Sequence, residues 1–126
     1  MRLMGIDYGG KRVGVALSDE TGRFAIPHGV LQNDSELLNH LLKLCVKERV
    51  GKIVLGRSLD YKMQPNEIMA KIETFKTELE LASNLPVEYE NEFMTTMEAE
   101  RLQGKGNKID ASAAALILKS YIDRQR

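Results

Sequence analysis

Gly5-Ile6-Asp7-Tyr8-Gly9-Gly10-Lys11-Arg12-Val13-Gly14 is the stretch that decides how this chain folds. An apolar run ends in an acid, passes through two glycines and two cations, and resumes as an apolar run. That pattern is strand, tight turn, strand. Alternation puts Leu3, Gly5 and Asp7 on one face of the first strand and Met4, Ile6 and Tyr8 on the other. Gly9 and Gly10 are expected to supply positive φ in the turn. One carboxylate thus closes a buried strand, beside a backbone that can approach a phosphate at Gly9.

Residues 12–18 read as the second strand, with Val13, Val15 and Leu17 on one face. Asp19-Glu20-Thr21-Gly22 makes a turn, and 23–31 a third strand whose Pro27 suits an edge or a bulge. The period then changes. Leu37, Leu38, Leu41, Leu42 and Cys45 share one helix face, with Asn33 and Glu36 as a cap, Lys47 and Arg49 in the last turn and Gly51 as the stop. Ile53-Val54-Leu55-Gly56 is short and wholly apolar, as a strand buried on both faces should be. A polar loop at 57–64 leads to a second helix with Pro65 in its first turn and the stripe Ile68, Met69, Ile72, Phe75, Leu79 and Ala82. Pro86 to Glu90 is a fifth strand, ending in Asn91-Glu92. Thr95 and Glu98 are spaced as a capping box of a short helix stopped at Gly104; 104–108 is a basic loop; a last helix runs from about Asp110 to Ile122. The order β-β-β-α-β-α-β-α-α predicts an α/β fold. A three-stranded antiparallel meander and two parallel strands form a five-stranded mixed sheet with helices on both faces.

The totals bound the answer. A chain of 126 residues with 43% hydrophobic side chains can bury one core, and a single domain over 1–126 is expected. Eighteen basic and 18 acidic side chains cancel, so any nucleic-acid surface has to come from clustering. The single cysteine, Cys45, rules out an internal disulfide and a cysteine-built zinc site, and its place in a leucine-rich pattern reads as core. With no signal peptide and no membrane-length apolar run, a cytoplasmic protein without a membrane partner is expected.

Three acids stand out by placement: Asp7 closes the first strand, Glu92 the fifth, and Asp110 opens the last helix. Sites in open α/β sheets form beyond the carboxyl ends of strands. Three carboxylates there suit hard ions such as Mg²⁺ or Mn²⁺. Two such ions roughly 4 Å apart activate water and stabilise the leaving oxygen of a phosphodiester. Each acid also has a purely structural reading. Asp7 can satisfy turn donors, Glu92 can be surface charge before a helix, and Asp110 can complement a helix N-terminus. His28 and His40 read as structural or solvent-facing. Lys11 and Arg12 in the first turn, Arg57 and Lys62 after the fourth strand, and Lys105 and Lys108 in the late loop would rim the Asp7 end and meet phosphate, if they are not scattered surface charge.

The run Gly5 to Asp19 closely resembles the opening of the YqgF family, described as Holliday junction resolvases and as nucleases maturing the 5′ end of pre-16S ribosomal RNA. The likeness continues in order through Ala25-Ile26-Pro27, Ile53 to Gly56, Pro86-Val87, Glu92 with Thr95-Thr96, and Ile109 to Ala114. The resemblance implies a ribonuclease H-like fold and a two-metal Mg²⁺ or Mn²⁺ site. Asp7 would bridge the ions, Glu92 and Asp110 would complete them, and Lys11 and Arg12 would lie near phosphate. It further implies structured RNA or branched DNA as partner, with ribosomal precursor particles a candidate setting. Where the family usually has Asp-Glu-Arg-Leu-Thr-Thr, this chain has Asn91-Glu92-Phe93-Met94-Thr95-Thr96. The loop after Gly56 also departs from the family's Leu-Pro pattern.

Maturation of pre-16S RNA is the first reading. A junction resolvase uses the same chemistry but makes paired cuts and so needs a dimer; no heptad or exposed apolar helix announces one, and a monomer or weak dimer is expected. A non-catalytic RNA-binding ribosome-assembly factor would accommodate the changes at Asn91 and Phe93. A phosphate-binding module akin to actin-like ATPases and sugar kinases would need a second domain and a second Asp-x-Gly loop, which the chain lacks.

Overall fold

The computed structural model describes residues 1–58, 67–92 and 107–125, and the side chains of all of these except 58, 67–69, 92 and 107–110. Five strands and three helices alternate along it: β1 (Arg2–Tyr8), β2 (Arg12–Ser18), β3 (Ala25–Gln32), α1 (Leu37–Lys47), β4 (Val50–Ser58), α2 (Glu67–Ser83), β5 (Val87–Glu92) and α3 (Asn107–Gln125). The sheet order is β3-β2-β1-β4-β5. β1, β2 and β3 pair antiparallel as a meander, while β4 runs parallel to β1 and β5 parallel to β4. This is the expected mixed sheet, with β1 at its centre.

The period-two pattern of β1 sorts the two cores. Met4 and Ile6, both fully buried, join Val13, Val15, Leu17, Ile53 and Leu55 under α1 and α2. Leu3 joins Ala16, Val54, Ala114, Ile117 and Leu118 under α3. Each buried aliphatic side chain contributes about 1.5–3 kcal/mol of transfer free energy, so the alternation specifies which helix covers which face. At Gly5 the α3 face has room only for hydrogen. A Cβ there would stand 2.8 Å from the Leu118 Cβ and 2.9 Å from the Ala114 carbonyl oxygen. Cys45 is a core residue as expected, and burial pushes its thiol up to about 11.

Several local expectations are corrected. β4 is longer than Ile53 to Gly56, so Gly51 is a strand residue and does not stop α1. The chain leaves α1 through Arg49 in the left-handed region (φ 54°), and the cap N–H groups reach the Leu44 and Val46 carbonyls. Asn33 does not cap α1. The turn before the helix is closed by Asp34, whose carboxylate accepts the Glu36 N–H at 2.9 Å, and the N-cap Glu36 makes no side-chain cap bond. Left-handed φ in the first two turns belongs to Gly22 (φ 74°) and to neither Gly9 nor Gly10. α3 starts at Asn107, so 107–108 are helical where a loop was expected. Ala82 is exposed, whereas Ile72, Phe75 and Leu79 of the same stripe are buried. Pro27 lies on the edge strand β3 beside a register shift opposite Val15 and Ala16, a position that needs no proline N–H. Pro65 and the short helix expected between Thr95 and Gly104 lie outside the described residues.

Candidate functional site

Because β1, β4 and β5 are parallel, their carboxyl ends Tyr8, Ser58 and Glu92 share one end of the sheet. Asp7 is half-buried there, paired in register with Gly14 of β2, and by alternation with Leu3 it lies on the α3 side. Glu92 closes β5 opposite Ser58, two register positions beyond the Gly56–Glu90 pair. Asp110 falls in the first turn of α3, four residues before Ala114, the residue packed on Gly5. The three acids are therefore placed on β1, β5 and α3 by the backbone; the side chains of Glu92 and Asp110 lie outside the described residues. Among the described residues no group of three or more His, Cys, Asp or Glu side chains could hold a metal ion.

The turn after Asp7 is tightly closed. A Cβ on Gly9 would stand 2.5 Å from the Arg12 carbonyl oxygen, so close approach demands glycine there, with no need for a special φ. Lys11 and Arg12 are exposed on this turn. Asn33 reaches it from the end of β3. Its side-chain Nδ2 donates to the Gly9 carbonyl at 2.7 Å and its backbone N–H to the Lys11 carbonyl at 2.9 Å. Neither bond was visible in the sequence, where Asn33 reads as a helix cap; the signal missed is that β3 ends beside the turn it follows by some twenty residues.

The other expected cations are placed unevenly. Arg57 belongs to β4, whereas a loop position was expected, and it pairs in register with Asn91. Its Nε and Nη2 donate to Asn91 Oδ1 at 3.2 and 3.1 Å, and its guanidinium lies 5.0 Å from the Tyr89 ring centre. Tyr89 packs against the α1–α2 core, so Arg57 is at the site end of the sheet but on the face away from Asp7. Lys108 is in the first turn of α3. Lys62 and Lys105 lie outside the described residues. His28 and His40 are both exposed.

The α3 side of β5 carries two polar ties that spacing alone does not reveal. Glu88 accepts from the Tyr121 hydroxyl and pairs with Lys52 at 2.7 Å, and Lys52 also donates to the Tyr121 oxygen at 3.1 Å. The Lys52 ammonium, then the Tyr121 hydroxyl, hold the Glu88 carboxyl below its ordinary range. Glu90, buried, accepts from Ser120 at 2.9 Å and from the Arg124 guanidinium. A buried carboxylate needs such partners. These ties set the register of α3 against β5, and thereby the backbone positions of Asp110 and Glu92.

The family model described as RuvX, Holliday junction resolvase, matches residues 1–124. A protein of Streptococcus agalactiae, provisionally named a pre-16S rRNA nuclease, is 36% identical over 137 aligned positions, covering 98% of this chain and 99% of that protein. A Dictyoglomus turgidum protein with the same name is 35% identical over 98% of this chain and 94% of its own length. Among solved structures, T. thermophilus RuvC in complex with a Holliday junction substrate superposes with a TM-score of 0.66 at 16% identity, covering 99% of this chain and 96% of that one. Fowlpox virus resolvase with Holliday junction DNA gives 0.60 at 16% identity, covering 99% of each chain. These two likenesses show the ribonuclease H-like fold that the family resemblance implies. With a family model matching residues 1–124 and relatives above 30% identity over 98% of its length, the chain belongs to the RuvX family of Holliday junction resolvases, a family of nucleases.

Proposed function

We propose that this nuclease is metal-dependent, hydrolyses phosphodiester bonds in structured RNA, and acts in maturation of the 5′ end of pre-16S ribosomal RNA. The observation that supports the reading is the element on which each of three acids sits. Asp7 closes β1, Glu92 closes β5 at the same end of the sheet, and Asp110 lies in the first turn of the helix packed on Gly5. All three are hard oxygen donors, which fit Mg²⁺ or Mn²⁺ and fit softer metals poorly. Bound there, two such ions would lower the pKa of an attacking water and stabilise the leaving oxygen. Asp7 from the central strand, with Glu92 and Asp110, would hold the ions. Lys11 and Arg12, on the turn after Asp7, meet the phosphates next to the cut and bring nucleic acid to a chain of zero net charge. Lys62, Lys105 and Lys108 would add further phosphate contacts, whereas Arg57 is engaged with Asn91 and Tyr89 on the opposite face of the sheet. The work belongs to the cytoplasm, on ribosomal precursor particles; among the described residues no helix is long and apolar enough to cross a membrane.

The description of the matching family favours a second reading, resolution of branched DNA by the same chemistry. A side-by-side assay in Mn²⁺ on a labelled pre-rRNA leader and a four-way DNA junction separates them, with Asp7→Asn as blank. Cleavage of the leader that Asp7→Asn abolishes supports the first; cleavage confined to the junction supports the second. Identical traces from wild type and Asp7→Asn would remove the catalytic reading and leave a non-catalytic assembly factor.

A further inference from the structure

Building on the reading of Lys11 and Arg12 as phosphate contacts, we propose that Asn33 is a positioning residue that holds the turn between β1 and β2 in the conformation that presents them. Asn33 spans that turn with two bonds, Nδ2 to the Gly9 carbonyl at 2.7 Å and backbone N–H to the Lys11 carbonyl at 2.9 Å. It thus grips the turn on both sides of Gly10. The pairing of Arg12 with Gln32 brings the end of β3 alongside the turn and delivers Asn33 to it.

Two further observations give this clamp a purpose. First, a Cβ built at Gly10 would find no atom within 4 Å, so the turn is gripped from the β3 side and open at its tip. Second, Lys11 and Arg12 are both exposed, and two adjacent glycines leave the backbone between Asp7 and these cations with little stiffness of its own. A cation on a loose turn loses much of its attraction for phosphate to the entropy of ordering it. Asn33 removes that freedom before substrate arrives, and it does so through carbonyl groups, leaving the turn's outward surface for the ligand. The half-buried amide is suited to this: it donates without adding a charge beside a phosphate site.

The test is equilibrium binding of a fluorescein-labelled RNA stem-loop in EDTA, across a range of salt, by the intact protein and its variants. Binding without metal separates this role from that of the acids. Lys11→Ala/Arg12→Ala is expected to weaken binding and flatten the salt dependence. Asn33→Ala is expected to raise Kd about three- to tenfold, the effect of losing one hydrogen bond. In the Lys11→Ala/Arg12→Ala background it should change Kd by less than about twofold, because residues that act as a unit are not additive. In turnover with Mn²⁺, Asn33→Ala should raise KM by a similar factor with kcat nearly unchanged. Asn33→Ser is the second variant, used for the same comparison if Asn33→Ala melts below the assay temperature. If the cations matter but Asn33→Ala and Asn33→Ser bind like wild type, the positioning role is overturned. It is equally overturned if Asn33→Ala weakens binding as much without the cations as with them. If Lys11→Ala/Arg12→Ala itself leaves Kd unchanged, the phosphate-contact reading fails first and takes the role of Asn33 with it.

Discussion

Ala114 rests directly on Gly5: a Cβ added to Gly5 would stand 2.9 Å from the Ala114 carbonyl oxygen and 2.8 Å from the Leu118 Cβ. Gly5 is two residues before Asp7, and Ala114 one helical turn after Asp110. The contact therefore sets the spacing between the strand and the helix that carry two of the candidate acids. Gly5→Ala is expected to destabilise by about 1–3 kcal/mol, because α3 must lift to admit a methyl group. Urea unfolding measures that term. The loss of cleavage should exceed what the unfolded fraction explains, since a lifted α3 separates Asp110 from Asp7. A variant as stable and as active as wild type would show that this contact positions nothing.

Metal ions that bind only the native state raise its melting temperature, by up to about 2.7 kcal/mol of added stability at a hundredfold excess over Kd. Saturating Mg²⁺ or Mn²⁺ is expected to do so here, and the shift should shrink in Glu92→Gln and in Asp110→Asn. Thermal scans with and without metal decide the matter. An unchanged shift in both variants would mean that the two acids do not share a site with a metal.

The parts of the fold that rest on periodicity were legible in the sequence; those that rest on contacts between distant segments were not. Met4 and Ile6 against Leu3 and Gly5 could be sorted to opposite faces because a strand has no other way to place them. The same logic led to Asp7 and to Glu92 at strand ends. Gly51 and Asn33 were misread because glycine and asparagine are helix punctuation in local terms. Here Gly51 continues β4, and Asn33 bonds to Gly9 across 24 positions of sequence. Arg57 was misplaced for a related reason: β4 continues past its apolar run because Arg57 and Ser58 pair with Asn91 and Glu92, which hydrophobicity does not signal.

Arg57 donates twice to the Asn91 oxygen, at a position where the family's usual sequence has an aspartate. Asn91→Asp would turn this hydrogen bond from a cation to a neutral amide into an ion pair. Asn91 is exposed, so the gain should be modest, about 0.2–1 kcal/mol, and should fade in molar salt. Arg57 stacks on Tyr89 on the face away from Asp7, so Asn91→Asp should change cleavage less than Glu92→Gln does. A many-fold recovery of rate on Asn91→Asp would place residue 91 in the chemistry.

Two carboxylates predict how stability responds to acid. Glu88 is held below its ordinary 4.5, first by the Lys52 ammonium and then by the Tyr121 hydroxyl. Asp19 is held below its ordinary 3.8, first by the Thr21 hydroxyl and then by the Phe24 N–H. Both binding constants for protons are weaker in the folded chain, so unfolding takes up protons as pH falls. The stabilisation is present above the unfolded values and is lost as pH drops through the folded ones. Lys52 is shifted the other way, upward, by Glu88 and then Tyr121, so its share is present below 10.5 and is lost as pH rises through the folded value. The melting temperature should therefore hold between these limits and fall from about pH 5 downward. Glu88→Gln should lower the plateau and flatten the acid limb, because the glutamine has no proton to take up. Thermal scans across pH test this, and an acid limb equally steep in Glu88→Gln and wild type would mean that the Lys52–Glu88–Tyr121 tie contributes nothing to stability.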